Sequence, residues 1–124
     1  MIKAMFVNEC GGVRYAQAIA QGYKPYETRS RNMLRHLVGE RVAVVRTRKG
    51  KAPTVVGYVT VTEAIHASPK WLDAHRGKTL VPEGSKYDHG GRSKWVYVCT
   101  DAEVCDPFLL PSSAIRHGRS WCEF

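Results

Sequence analysis

The segment GYKPYETR, residues 22–29, holds the side chains of this chain that are best suited to chemistry. Lys24 is a compact cation on a flexible stem, which suits contact with a phosphate oxygen, or proton transfer if burial lowers its pKa. Arg29 presents a planar fork of donors that holds phosphate or carboxylate through paired hydrogen bonds. Glu27 and Arg29 are two residues apart, so in an extended chain they share a face and can form an ion pair. The segment therefore predicts an anion-binding site or a structural ion pair, and Lys24 is the first candidate for ligand contact.

Basic residues are concentrated around this segment. Residues 24–51 contain nine basic residues and two acidic ones, which is nearly the whole net charge of +8. The nine are Lys24, Arg29, Arg31, Arg35, Arg41, Arg46, Arg48, Lys49 and Lys51. Such a field attracts polyanions, although a merely solvated face would have the same composition. If RNA is the ligand, we expect Arg31, Arg46, Arg48 and Lys49 to contact it together with the motif.

Aromatic residues are interleaved with the basic ones. Single-stranded RNA is bound by stacking its unpaired bases on aromatic rings, while arginine and lysine contact the backbone. Tyr26 lies inside the motif, so we expect its ring to be exposed and to stack on a base. Trp95, Tyr97 and Trp121 occur in apolar stretches, which favours the core for most of them.

Length and composition indicate one ordinary globular domain, residues 1–124. No stretch approaches the roughly 18 unbroken apolar residues of a membrane helix, so we expect no membrane contact. The four cysteines form no CxxC pair and the five histidines show no paired spacing, so we expect no metal site. No glycine-rich phosphate loop precedes a helix, and we therefore expect no cofactor. We expect reduced thiols and a cytoplasmic location.

Periodicity and turn residues predict short strands interrupted by small helices. The predicted strands span residues 2–8, 41–47, 54–65 and 94–100, and the predicted helices span 11–21, 30–38 and 68–77. Gly22 is placed to end the first helix in a left-handed conformation, and Gly57 predicts a bulge or a sharp bend. This pattern indicates an α+β fold built on a small mixed β-barrel flanked by short helices.

Gly22, Lys24, Glu27 and Arg29 match all four defining positions of GxKxxExR, the signature of the ASCH (activating signal cointegrator homology) domain family in the PUA-like superfamily. The surrounding sequence is similar as well: an amphipathic helix precedes the motif, and the strands VGERVAVVRT, VVGYVTVTEA and KWVYVCT follow it. The resemblance covers almost the whole chain. It implies a small PUA-like β-barrel with a cleft where the motif passes the barrel mouth, and it implies RNA binding, with a few enzymes among the members.

The resemblance and the charge pattern together favour a binding module for RNA or a nucleotide-like anion, held in a basic cleft beside the motif. The alternative is a small hydrolase that acts on RNA, as a ribonuclease, or on a modified cytidine nucleoside, as an amidohydrolase. Lys24 and Glu27 would then be the catalytic residues, and a ribonuclease would add a carboxylate such as Glu63 or Asp73. The amidohydrolase branch resembles this motif but carries threonine in place of Glu27, and Thr28 points the other way in an extended chain. The sequence identifies no protein partner.

Overall fold

One mixed β-sheet of seven strands forms the framework of the protein in the computed structural model, which describes residues 1–124. The strands are β1 (Lys3–Asn8), β2 (Tyr26–Arg29), β3 (Arg41–Arg48), β4 (Lys51–Ala67), β5 (Lys94–Leu109), β6 (Ile115–His117) and β7 (Trp121–Glu123). Their order across the sheet is β2-β5-β4-β3-β1-β7-β6. Strands β1 and β3 run parallel, and every other neighbouring pair is antiparallel. With its short helices the molecule is α+β, as predicted.

The sheet is open and does not close into the small mixed β-barrel that the sequence predicts. Its edge strands β2 and β6 are four and three residues long and are not paired with each other. Strand β2 pairs only with the start of β5, from Trp95 to Val98. Strands β4 and β5 are long and change register at several bulges, which bends the sheet without closing its ladder. Closure needs a continuous ladder between the edge strands, and two such short strands do not supply one.

Gly57 marks one of these bulges, as predicted. The register between β4 and β5 shifts between Val55 and Gly57. A Cβ atom at residue 57 would lie 2.7 Å from the Cβ of Ala20 and closer still to the main-chain oxygen of Glu103. Glycine is therefore required where helix α1 (Tyr15–Gln21) crosses the bend of β4.

Helix α1 leads directly into the motif. It buries four residues at helical spacing against the sheet: Tyr15, Ala16, Ile19 and Ala20. Gly22 ends the helix with a φ angle of 84°, the left-handed conformation predicted for it. The chain then enters β2 in an extended form, which sets the side chains of Glu27 and Arg29 on the same face of the strand.

The helix predicted over residues 30–38 is reduced to one turn of 3-10 helix, Arg35–Leu37. Contacts from β5 replace the regular helical bonds here. The hydroxyl of Tyr97 accepts the amide N–H of Leu34 at 3.2 Å and donates to Oδ1 of Asn32 at 2.7 Å. Tertiary hydrogen bonds therefore override a pattern of apolar residues that by itself favours a helix.

The third predicted helix is split into two. Helix α2 (Pro69–Ala74) begins at Ser68, whose Oγ accepts the amide N–H of Trp71 at 3.1 Å. Helix α3 (Arg76–Thr79) follows after one residue and contains Gly77, so this glycine does not end the helix as predicted. Helix α3 packs beside β2, and the two short helices line a small depression next to the cleft described below.

Apolar side chains cover both faces of the sheet. The larger cluster lies between α1 and the sheet and includes Tyr97. A smaller cluster lies on the opposite face, where residues after β5 pack over small side chains such as Ala4 and Ala43. A third cluster joins α2 to β5 through Leu72 and Val96. None of the helices is long and apolar enough to cross a membrane.

Candidate nucleic-acid interface

A cleft of about 700 Å³ opens beside the motif. Its walls come from the end of β1, from β2 and the residues after it, from the loop of residues 80–93, and from the turn before β7. Seven basic residues line it: Lys24, Arg29, Arg31, Lys86, Arg92, Lys94 and Arg119. Two acidic residues line it: Glu27 and Asp88. The cleft is therefore strongly basic, which favours an anionic ligand.

Glu27 lies between the two cations of the motif at the floor of the cleft. Its carboxylate is 3.7 Å from Nζ of Lys24 and 3.0 Å from a terminal nitrogen of Arg29. It also accepts the amide N–H of Thr28 at 3.2 Å. Glu27 is 7% exposed and Lys24 is 1% exposed, so the network is shielded from solvent. The ion pair that the spacing of Glu27 and Arg29 allows is thus present, and Lys24 extends it to a network of three residues.

The ammonium group of Lys24 is surrounded by protein acceptors. It donates to the main-chain oxygen of Tyr26 at 2.8 Å and to that of Thr79 at the end of α3. It lies 5.1 Å from the ring centre of Tyr15, within cation–π distance. Two of the three ammonium donors are thus hydrogen-bonded, and the Glu27 carboxylate at 3.7 Å balances the charge. Lys24 therefore joins β2 to α3 beneath the cleft.

Arg29 makes the corresponding connection to β1. Its guanidinium donates to the main-chain oxygen of Phe6 and, through two nitrogens, to Oε2 of Glu27. Strand β2 is at the edge of the sheet and β1 lies between β3 and β7, so no main-chain ladder connects them. Arg29 therefore links two strands that the sheet itself leaves apart.

Burial and charge act in opposite directions on the pKa of Glu27. Burial raises the pKa of a carboxyl, but the charges of Arg29 and Lys24 and the hydrogen bonds outweigh it, so the pKa of Glu27 lies below its ordinary value. Burial lowers the pKa of Lys24, and the Glu27 carboxylate offsets part of that effect. At neutral pH the Glu27 carboxyl is therefore ionised.

Four exposed cations surround the opening of the cleft, and none of them has an ion-pair partner in the protein. They are Arg31, Lys86, Arg92 and Arg119, called the rim cations below. Sequence reasoning named Arg31 alone. Lys86 and Arg92 lie in a stretch rich in glycine and charged residues. That composition is the feature of the sequence from which a ligand contact could have been predicted for them. Arg119 has no local signal, because only the fold brings the turn before β7 to the cleft.

The other three basic residues predicted to contact RNA lie on the hairpin between β3 and β4. Arg46 is half-buried, whereas Arg48 and Lys49 are exposed. None of the three lines the cleft, although Thr47 of the same strand does. The structure therefore places this hairpin beside the cleft but outside it.

Tyr26 is half-buried rather than exposed, contrary to the prediction, and it does not line the cleft. It alternates with Glu27 along β2, so its side chain lies on the other face of the strand. Its ring centre is 5.4 Å from that of Trp71 and 6.0 Å from that of His75. Any stacking role of Tyr26 therefore belongs to a surface outside the cleft.

The inner walls of the cleft are partly apolar. Six apolar or aromatic residues line it: Phe6, Val7, Tyr15, Met33, Val81 and Tyr87. The rings of Tyr15 and Tyr87 meet edge to face with their centres 6.0 Å apart. The hydroxyl of Tyr87 accepts a hydrogen bond from Nδ2 of Asn8 at 3.0 Å. A flat ligand group can pack here while an attached anionic group reaches the rim cations.

The loop of residues 80–93 is anchored to the two helices beside β2. Oδ1 of Asp88 is 3.1 Å from the guanidinium of Arg76. Nε2 of His89 is 2.8 Å from Oδ1 of Asp73, which also pairs with Arg76. These contacts hold the loop that carries two of the rim cations.

The additional carboxylates proposed for a ribonuclease lie outside the cleft. Glu63 does not line the cleft, and the carboxylate of Asp73 is engaged by His89 and Arg76 outside it. Cys99 lies beside the motif, but burial raises the pKa of its thiol to about 12, so it is protonated at neutral pH. No group of three or more histidine, cysteine, aspartate or glutamate side chains that could hold a metal ion is present.

No family model and no curated protein matches the sequence, but solved structures match the fold. A serine-to-alanine variant of ZmASCH from Zymomonas mobilis gives a TM-score of 0.73 at 18% identity, over 98% of this chain and 87% of that chain. A tyrosine-to-phenylalanine variant gives 0.67 at 21% identity, over 86% and 76%. A crystal structure of ASCH from the same organism gives 0.66 at 20% identity, over 86% and 73%.

These matches extend over most of both chains, and at this level of identity they concern the fold. They agree with the family resemblance that the motif of residues 22–29 carries. The chain has the fold of the ASCH domain.

Proposed function

We propose that this protein binds single-stranded RNA in the cleft beside the GxKxxExR motif. The observation that carries the proposal is the set of rim cations. They come from three separate parts of the chain: the residues after β2, the loop of residues 80–93, and the turn before β7. Their convergence on one opening, without ion-pair partners in the protein, is an arrangement that favours binding of a polyanion.

The interior of the cleft supports a nucleotide as the bound unit. Its volume of about 700 Å³ lies within the range of small-molecule sites. A base can pack against the apolar wall near Tyr15 and Tyr87, while its phosphate remains at the rim cations. A base inside a duplex is not accessible in this way, so an unpaired base is the expected ligand.

The fold supports the same class of ligand. ASCH domains are thought to bind RNA, and this chain has both the signature residues and the fold. The motif contributes less directly to ligand binding than its charges suggest, because Lys24 and Arg29 already contact Glu27 and main-chain oxygens. Ligand affinity is therefore assigned mainly to the rim cations.

Fluorescence anisotropy with a labelled single-stranded RNA, measured from 50 to 300 mM NaCl, tests this proposal. The logarithm of the affinity should fall linearly with the logarithm of the salt concentration, by about 0.7 per phosphate contacted. Charge reversal of two rim cations, Arg92→Glu with Arg119→Glu, should reduce both the affinity and the slope. Absence of binding at 50 mM salt, or binding that salt does not weaken, would contradict the proposal.

The hydrolase alternative has less support from the geometry. The ammonium of Lys24 and the carboxylate of Glu27 both have protein partners, so neither is free to move a proton to or from a substrate. Incubation with acylated cytidine nucleosides and with single-stranded RNA, with and without divalent cations, should therefore give no product. Turnover that Lys24→Met abolishes, while an exposed change such as Lys51→Met leaves it intact, would establish the enzyme instead.

A further inference from the structure

An aromatic surface lies outside the cleft, on the opposite face of β2. It consists of Tyr26, Trp71, His75 and Lys78 and is called the ledge below. The rings of Trp71 and His75 are stacked with centres 3.8 Å apart and planes inclined by 20°. The ring of Tyr26 lies 5.4 Å from that of Trp71. All three rings are half-buried, so each retains part of its surface in solvent.

Cations accompany these rings. Lys78 is exposed, and its Nζ lies 5.5 Å from the ring centre of Tyr26. Lys70, on the same helix as Trp71, is also exposed. Neither lysine has an ion-pair partner in the protein. Stacked rings beside unpaired cations are the components with which proteins hold single-stranded nucleic acid.

The imidazole of His75 has a defined orientation. Its Nδ1 is 2.6 Å from the main-chain oxygen of Trp71, and because a carbonyl only accepts, Nδ1 carries the hydrogen. In the neutral ring Nε2 is then an acceptor without a protein partner. The ledge therefore offers a hydrogen-bond acceptor for a base or ribose hydroxyl as well as aromatic surface.

The ledge adjoins the wall of the cleft. Thr28 lines both the cleft and the depression beside it, and Tyr26 is two residues away, about 7 Å along β2. A small depression beside the cleft reaches Leu72, Arg76 and Thr79, which belong to the helices that carry the ledge. A nucleic-acid strand that leaves the cleft on this side meets the ledge next.

We propose that the ledge is a second contact site for the RNA strand whose nucleotide occupies the cleft. A neighbouring base stacks on the exposed surface of Tyr26 and Trp71, and Lys78 contacts a phosphate between the two sites. This inference rests on the proposed function, because it assigns the path of the same ligand.

A comparison of ligand lengths tests it. The affinities of a cytidine monophosphate and of a single-stranded hexanucleotide are measured for the natural chain, Trp71→Ala and Lys78→Glu. Tyr23→Ala and Lys51→Glu are the matched controls, since they remove an exposed ring and reverse an exposed charge elsewhere. Trp71→Ala should weaken hexanucleotide binding about tenfold, as expected for one stacked base, and leave the monophosphate affinity unchanged. Lys78→Glu should weaken hexanucleotide binding more than Lys51→Glu does.

The possible results separate this inference from the proposed function. Binding of both ligands by the natural chain, with Trp71→Ala and Lys78→Glu equal to their controls, would overturn the ledge alone. Binding of neither ligand would overturn the cleft and the ledge together. If Trp71→Ala also loses monophosphate affinity, its fold is disturbed, and Lys78→Glu on the surface then decides the question.

Discussion

Arg29 and Phe6 join two strands that the main-chain ladder leaves apart. The guanidinium of Arg29, on the edge strand β2, donates to the main-chain oxygen of Phe6 on β1 and is paired with Glu27. Lys24 makes the matching contact from the start of the motif to Thr79 at the end of α3. Lys24 and Arg29 therefore hold β2 to α3 and to β1 beside the cleft, and this is a role that their charges fulfil before any ligand arrives.

Loss of the guanidinium fork should reduce stability. In Arg29→Lys one ammonium replaces a planar group that contacts both Phe6 and Glu27, so at least one hydrogen bond in a shielded position is lost. We expect the free energy of unfolding to fall by about 2 kcal/mol, measured by urea denaturation. Arg41→Lys is the matched control, because Arg41 pairs with Glu103 on the surface, where such a change costs less than about 1 kcal/mol. Equal losses in the two variants would contradict the role of Arg29 as a structural link.

The stability of the protein should depend on the ionisation of Glu27. Its pKa in the folded state lies below the ordinary value of 4.5, so its contribution to stability is complete above about pH 4.5. As the pH falls towards the folded-state pKa, the unfolded chain binds the proton first, and this contribution is lost.

Urea denaturation between pH 3 and pH 7 checks this dependence with Glu27→Gln as the reference. Glutamine leaves Lys24 and Arg29 without their anion, which should cost about 3 kcal/mol at pH 7. The difference between the natural chain and the variant should then shrink as the pH falls below 4.5. A difference that is constant over the whole range would show that the carboxylate charge is not what stabilises the network.

The local features of the motif could be predicted from the sequence because they depend on neighbouring residues. Gly22 ends α1 because a left-handed conformation suits glycine, and Glu27 and Arg29 share a face because β2 is extended. In each case the relevant conformation is set within a few residues of chain.

The features that depend on distant contacts could not be predicted. The pattern of residues 30–38 favours a helix, but the hydroxyl of Tyr97 takes the amide of Leu34, and the segment forms a single turn. Arg119 reaches the cleft only because β7 pairs with β1. The open sheet could not be predicted either, because the residue pattern of β2 does not indicate that its outer edge lacks a neighbouring strand.

The close approach of α1 to the bend of β4 makes a direct prediction for glycine substitutions. In Gly57→Ala the new methyl group would meet the main-chain oxygen of Glu103 and the Cβ of Ala20, so we expect a loss of about 3 kcal/mol. Gly77→Ala is the matched control, because residue 77 lies in α3 with nothing within 4 Å of the added atom. This second change should be neutral or stabilise the protein by up to about 1 kcal/mol. Thermal or urea unfolding of both variants gives the comparison, and a tolerated Gly57→Ala would mean that α1 can move away from β4.

Two charge-reversal pairs distinguish the cleft from the hairpin as the RNA-binding surface. One pair reverses two rim cations, Arg92→Glu with Arg119→Glu, and the other reverses Arg48→Glu with Lys49→Glu. All four residues are exposed, and each pair lowers the net charge of +8 by the same amount. The general electrostatic attraction between the protein and RNA therefore falls equally in the two variants. They differ only in the local contacts that each removes.

The rim pair should weaken binding of single-stranded RNA at least tenfold more than the hairpin pair, because its side chains line the cleft and the hairpin side chains do not. Anisotropy titrations at several salt concentrations measure this, and the rim pair should also lower the salt slope by about 0.7 for each phosphate contact removed. Equal losses would mean that net charge alone attracts RNA and that the cleft is not the site. A larger loss in the hairpin pair would move the interface to Arg48 and Lys49, which the sequence predicted to contact RNA together with the motif.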